Sequence, residues 1–319
     1  MPPDWLDIPP TRLAALCPLQ TVNWSPFAER GLLLSVKRED HLGVQLGGNK
    51  VYKLYGHLRK AREVGATSIA SYGGAWSNHL LALARACADR GLGSLGIVRG
   101  EAGEQKSAML VDAEALGMRL VFVPRQQYRQ KSETLQRDIE RQFGAQYWVP
   151  EGGGGLDGAR HLYALREAIL DIADQSGKPV DVIAHACGTG SSLAGLVAGA
   201  KSHCEFLGIA VLKGAEFLEK EVENMVAKLS PSDAKWWLYH QGHCGGYAKL
   251  PAYLKAFIHE FELECGFKLD PVYTAKLMYA LKQLAEANHW KPGTHVVAIH
   301  SGGLQGRRGW ACFENPDNG

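Results

Sequence analysis

The stretch DVIAHACGTGSSLAGLVAGA, residues 181–200, joins an apolar run of strand length to a glycine turn and then to a helical run of small residues. Free backbone N–H groups at such a turn, added to the dipole of the helix that follows, suit a phosphate group. The hydroxyls of Thr189, Ser191 and Ser192 would suit a terminal phosphate monoester. The stretch is not a dinucleotide fingerprint, because the third glycine of GxGxxG would fall at Leu193. Nor is it a Walker A loop, since no Gly-Lys-Ser/Thr follows. A glycine turn that only lets the helix pack closely is the other reading of these residues.

The same strand–glycine–helix order extends in both directions. Upstream, TSIASYGG (67–74), SLGIVRG (94–100), RLVFVP (119–124) and YWVP (147–150) read as strands; downstream, FLGIAVLKG (206–214) and THVVAIHSGG (294–303) do. Helices are expected over LRKAREVG (58–65), over NHLLALARACADRG stopping at Gly91, and over Lys106–Leu116. Further helices are expected over 129–144, from Asp157 to about Gln175, and at about 272–288. The alternation predicts an α/β protein with largely parallel sheets. The segment 230–265 carries no clear pattern.

Length and composition narrow the classes. The chain has 319 residues, 46% hydrophobic and 21% charged, which fits a globular protein of one large or two smaller domains. Lys+Arg 35 against Asp+Glu 33 gives a net charge of +2, so neither nucleic acid nor an anionic membrane is an expected partner. No apolar run approaches the roughly 18–20 residues of a membrane span, and the opening MPPDWLDIPPTR lacks the order of a signal peptide. A cytoplasmic location is expected. The seven cysteines form no CxxC pair and the 12 histidines no HExxH, so no metal is expected.

Ligands of such folds bind outside the carboxyl ends of the strands. Besides CGTGSS (187–192), three stretches place glycines and reactive side chains there: GGNKVYK (47–53), GGAWSNH (73–79) and HSGG (300–303). In GGNKVYK, Lys50 and Lys53 read either as solvated lysines of a first helical turn or as a lysine tuned for Schiff-base chemistry. In GGAWSNH, Ser77 and Asn78 read as a helix cap or as groups that hold a carboxylate. His79 reads as a general acid/base or as a satisfied hydrogen-bond partner.

Taken together, a Schiff-base lysine, a phosphate cup and a carboxylate-holding strand end fit pyridoxal 5'-phosphate (PLP). The chain resembles the fold type II, tryptophan-synthase-β-like PLP enzymes. Within them it resembles the 1-aminocyclopropane-1-carboxylate (ACC) deaminase/D-cysteine desulfhydrase family. The matching stretches are KRED (37–40), GGNKVYKL (47–54), GGAWSNH (73–79), VPEGGGG (149–155), CGTGSSLAGL (187–196), LDPVYTAK (269–276) and IHSGG (299–303).

The resemblance implies two domains with twisted, largely parallel sheets flanked by helices. A large PLP-binding domain would comprise 1–50 and 161–319, with a small inserted α/β domain at 51–160 that moves on substrate binding, in a homodimer. It implies that Lys50 carries PLP as a Schiff base, that Asn78 contacts its phenolic oxygen, and that Gly188, Thr189, Gly190, Ser191 and Ser192 cradle its phosphate. Ser77, Asn78 and His79 would receive the substrate carboxylate, with Ser77 also a candidate base or nucleophile. Tyr273 and Tyr247 would stand near the reacting carbon, and Lys53 matches a second family lysine that is not the Schiff base.

ACC deaminases are expected to carry a glutamate after the tyrosine, facing the pyridine nitrogen; here that position is Thr274, and the C-terminal motif offers Ser301. A neutral hydroxyl does not balance a pyridinium, so the ring is expected to be a weaker electron sink. That favours elimination of a good leaving group from a small amino acid, as in a D-cysteine desulfhydrase, giving a 2-oxo acid, ammonia and sulfide or another leaving group. ACC deamination, racemisation, and PLP binding without turnover are the alternatives. Trp76 stands where many members have glutamine, and EGGGG replaces an expected glycine-serine-asparagine ending. Arg99, Glu101 and Arg125 are candidates for reading a distal polar group of a ligand, with surface salt bridges as the other reading.

Overall fold

The structure is a computed structural model and describes residues 4–42, 47–101, 103, 105–201 and 203–313. Ten strands are described: β1 (Leu19–Val22), β2 (Leu33–Arg38), β3 (Ser68–Gly73), β4 (Gly93–Arg99), β5 (Arg119–Val123), β6 (Tyr147–Val149), β7 (Val182–Cys187), β8 (Glu205–Ala210), β9 (Trp236–Tyr239) and β10 (His295–His300). They form a six-stranded sheet ordered β1-β2-β10-β7-β8-β9 and a four-stranded sheet ordered β5-β4-β3-β6. All pairings are parallel except β1 with β2. Every residue of β7 and β10 is buried, as expected of strands covered on both faces.

Three apolar clusters make the layers. Leu34, Leu207 and Ala298 pack on the outer side of the large sheet against helices Ala252–Cys265 and Thr274–Glu286. Ala70, Ile97 and Ile139 cover the outer side of the small sheet. The third cluster runs between the sheets, from Ile69 and Val98 to Ile183 and Phe206, and takes in helices Lys50–Glu63, Asn78–Ala88 and Ser191–Val197. The three helices that begin at the motif residues are thus sandwiched, and their N-termini face the carboxyl ends of the strands.

Three expectations of the sequence are corrected. The helix expected over 58–65 starts eight residues earlier, at Lys50. The helix expected over 129–144 is broken: Arg125–Gln130 ends at Lys131, whose φ of 42° is left-handed, and Ser132 caps a new helix, Glu133–Phe143, through its hydroxyl. The long helix expected from Asp157 is two, Gly155–Arg160 and Tyr163–Gln175. The unassigned segment 230–265 supplies edge strand β9 and helix Ala252–Cys265.

Candidate active site

The KRED stretch anchors the helix on which the candidate lysines stand. Lys37 is fully buried, donating to the carbonyls of Ala14 (2.6 Å) and Cys17, with Glu39 at 3.5 Å. Tyr52 donates its hydroxyl proton to Glu39 Oε2 (2.7 Å), tying helix Lys50–Glu63 to the end of β2. Arg38 forms a two-pronged pair with Asp40 (2.9 and 2.7 Å) beside it. At the start of the helix, Asn49 N–H donates to Ser301 O (3.2 Å), which joins it to the end of β10. The Asn49 amide also donates to His185 Nε2 (3.1 Å). Burial, then the charges of Lys53 and Lys50, push His185 down to about 3, so its ring is neutral.

These struts place Lys50 in a cavity of about 540 Å³ at the carboxyl ends of strands from both sheets. Its Nζ lies 5.8 Å from the centre of the Tyr273 ring, and its one hydrogen-bond contact among the described residues is a long one to Asn49 Oδ1 (3.5 Å). Burial lowers its pKa to about 8, against the pull of the Asp270 charge. An amine tuned this way is part neutral, and nucleophilic, near neutral pH.

The glycine turn expected to cradle a phosphate brings two hydroxyls and the Lys53 amine together. Gly190 has a φ of +72°, the left-handed conformation that lets the chain turn from β7 into helix Ser191–Val197. Thr189 Oγ1 and Ser191 Oγ share a hydrogen bond of 2.8 Å, and Lys53 Nζ reaches Ser191 Oγ (3.1 Å) and Thr189 Oγ1 (3.5 Å). Lys53 is 5% exposed, and burial together with the Lys50 charge drives its pKa well below the ordinary value. A buried amine beside two hydroxyls, with no carboxylate partner among the described residues, suits an anion, whose charge would favour the protonated amine.

At the end of β3, Ser77 caps helix Asn78–Ala88, its Oγ accepting from Leu80 N–H (3.2 Å). Asn78 keeps a buried Oδ1 with no partner among the described residues. His79 is committed to the fold. Ser71 gives its only hydroxyl proton to Val149 O (2.9 Å), so His79 Nε2 donates to Ser71 Oγ (2.8 Å), and burial keeps the ring neutral.

Lys50, Ser77, Asn78, His79, Gly188, Thr189, Gly190, Ser192, Tyr247, Tyr273 and Ser301 all line the one cavity. Tyr273 and Tyr247 stand with hydroxyls 3.5 Å apart. Ser191 supports from behind, fully buried. Thr274 is not brought to the cavity. It is 1% exposed, and its hydroxyl accepts from Asp270 N–H (2.7 Å) and donates to Asp270 O (3.2 Å). Ser301 is therefore the hydroxyl of the two that faces the cavity.

The structure adds residues the sequence did not single out. Asp270 Oδ1 accepts from the N–H groups of Tyr273 (2.6 Å) and Thr274 (3.4 Å), fixing the turn that presents the Tyr273 ring; burial raises its pKa to about 6. Glu151 and Lys131 line the cavity mouth as a 2.5 Å ion pair. A wider hollow of about 810 Å³ around Arg30 and Trp290 is open to solvent and carries none of these motifs.

Comparison with known proteins agrees with this geometry. Residues 13–302 match the family described as pyridoxal-phosphate dependent enzyme. The chain is 30% identical over 305 residues, 91% of each chain, to a Pyrococcus horikoshii protein provisionally named as a 1-aminocyclopropane-1-carboxylate deaminase. It is 27% identical to the mitochondrial bifunctional D-cysteine desulfhydrase/1-aminocyclopropane-1-carboxylate deaminase of Arabidopsis thaliana, covering 96% of this chain and 82% of that one. A crystal structure described as an ACC deaminase homologue superposes with a TM-score of 0.77 at 27% identity, covering 91% of this chain and 90% of the other. Its fold, its cavity and these relatives agree that the chain belongs to the pyridoxal-phosphate-dependent enzymes.

Proposed function

We propose that the protein eliminates a β-substituent from a small amino acid, as a D-cysteine desulfhydrase does, releasing a 2-oxo acid, ammonia and the leaving group. The observation that carries this reading is the side chain at Thr274, which is neutral and already bound to Asp270, leaving Ser301 as the hydroxyl at the cavity. Neither supplies the negative charge that a strongly electron-withdrawing pyridinium needs.

The residues fit the cofactor. Lys50 offers a part-neutral amine, Thr189, Ser191 and Lys53 suit a phosphate, and Asn78 offers a buried oxygen with no partner among the described residues. When bound, PLP supplies the sink for electrons released at the substrate α-carbon. The chain's own groups do the rest. Ser77 and Asn78 open a helix whose first N–H groups suit the substrate carboxylate. Lys50 Nζ takes the α-proton. Tyr273 stays protonated, because burial and the neighbouring Tyr247 push its pKa well up, and it can donate to the departing group.

An absorbance spectrum with D-cysteine tests the reading. Purified protein given PLP is expected to show a band at about 410–420 nm, and D-cysteine to yield pyruvate and sulfide. A band with turnover of ACC alone would replace the elimination reading. A second test follows from the Lys50 pKa of about 8. The neutral amine is the reactive form, so the rate at which apoprotein takes up PLP should rise with pH, half-maximal near 8. A rise that begins only near 10 would mean the lysine is untuned.

The domain division at 51–160 is supported by the membership of the sheets, since β3–β6 all lie in that span and the remaining strands all lie outside it. Rotation of the small domain on substrate binding and assembly as a homodimer rest on the family resemblance. No helix among the described residues is long and apolar enough to cross a membrane. A cytoplasmic location is supported by seven free cysteines, five of them buried.

A further inference from the structure

Four basic side chains among the described residues line the cavity, those of Lys50, Lys53, Arg99 and Lys131. Three have partners: Lys50 contacts Asn49, Lys53 donates into the phosphate cup, and Lys131 is paired with Glu151. Arg99, at the carboxyl end of β4, has no hydrogen-bond or ion-pair partner among the described residues; the ring of Tyr128 lies 5.9 Å from its Cζ. Its position is on the substrate side. A Cβ built on Gly74 would lie 3.8 Å from Arg99 Nη2, so the guanidinium reaches across the glycine that leads into Ser77, Asn78 and His79. Tyr247, beside the candidate reacting centre, also feels its charge, which opposes the upward push of burial on that phenol. Among the described residues, the one carboxylate that lines the cavity without a partner, Glu221, belongs to helix Phe217–Leu229, whose Leu218 and Val222 pack at Gly190 on the cup side.

We propose that Arg99 selects amino acids whose β-leaving group is itself an oxyanion, such as a sulfonate on Cβ, which departs as sulfite, or a sulfate or phosphate ester. The proposal rests on the lyase reading above and adds the substrate class to it. A guanidinium offers two parallel N–H donors that match an oxyanion, and among the described residues no carboxylate occupies them. The cofactor phosphate has its own cation in Lys53, and the α-carboxylate has the helix end at Ser77, so the third anion is the one left without a partner. Of the other two candidates named from the sequence, Arg125 and Glu101 do not line the cavity.

Aspartate and asparagine test this directly, because they are nearly isosteric, differ in one charge and carry no good leaving group. Holoenzyme is titrated with each, in both configurations, and affinity is read from the cofactor absorbance and by calorimetry. Wild type is expected to prefer aspartate, with a preference that falls as salt is raised. Arg99→Gln should lower the aspartate-over-asparagine ratio by about tenfold to a hundredfold, and Arg99→Lys should retain part of it. An unchanged ratio overturns the proposal. That includes the case where both affinities fall together, which would make Arg99 a reader of the α-carboxylate. If wild type with PLP shows no band at 410–420 nm, the lyase reading fails and takes this one with it. A normal band with an unchanged ratio fails only this one.

Discussion

Lys50→Ala is expected to abolish the absorbance band at about 410–420 nm and to lower turnover by at least about 10³-fold, without destabilising the protein. The first two losses follow from position, since Lys50 Nζ is the amine that faces the Tyr273 ring across the cavity. The third follows from what the lysine does for the fold, which is little. Its single hydrogen-bond contact is 3.5 Å long, and burial holds its pKa at about 8 rather than 10.5. Because the folded value is depressed, the unfolded chain binds more protons between about pH 8 and 10.5, and this group makes apoprotein stability rise with pH across that window. In the alanine variant that rise should disappear. Lys53→Ala is the informative contrast: it should need about ten- to a hundredfold more PLP but show the band once loaded, because its amine serves the Thr189 and Ser191 cup. Band and turnover surviving in Lys50→Ala, with both lost in Lys53→Ala, would exchange the roles of the two lysines.

What the sequence disclosed follows a physical division. Glycine turns, helix caps and short apolar strands are written in contiguous residues, so CGTGSS, GGAWSNH and HSGG could be placed at strand ends without knowing which strands are neighbours. The cavity that unites them depends on β10 lying between β2 and β7, pairings that join residues more than a hundred positions apart. Nothing local announces that order. The break at Lys131 is hidden for a related reason, because a lysine at φ 42° is an uncommon left-handed residue, and here its amine pairs with the distant Glu151, which also accepts from Tyr128. The fate of Thr274 was more accessible. Asp-Pro just ahead of a helix is a local capping signal, and the threonine four residues on bonds back to the backbone of that aspartate. That local bonding, not a cofactor-facing place like the family glutamate's, is what Thr274 shows. Arg99 shows the opposite case: the sequence leaves both a surface salt bridge and a ligand contact open, and its place at the cavity with no acidic partner among the described residues supports the second.

Gly48→Ala should be the most damaging single-methyl change at the site, costing about 3 kcal/mol or more of stability and leaving the protein unable to hold the cofactor even where it still folds. Two effects add. The residue has φ +60°, a conformation alanine adopts at a cost of about 1–2 kcal/mol, and a Cβ there would stand 2.3 Å from Ser301 O and 3.0 Å from Gly302 Cα. Neither neighbour can yield freely. Ser301 O accepts from Asn49 N–H, and the Gly302 N–H donates to His300 Nδ1 (3.2 Å), whose other nitrogen donates to Lys268 O (2.8 Å). The methyl therefore has to push apart the end of β10 and the start of the helix that carries Lys50, which separates Lys50 from Ser301. Gly65→Ala isolates the first effect, since Gly65 has φ +66° with nothing within 4 Å of a built Cβ. Its cost should stay at about 1 kcal/mol, with PLP affinity unaltered. Urea unfolding of both variants, with absorbance titration by PLP, gives the comparison. If Gly48→Ala costs no more than Gly65→Ala and binds PLP normally, then the close approach of helix and strand at Ser301 is not what positions Lys50.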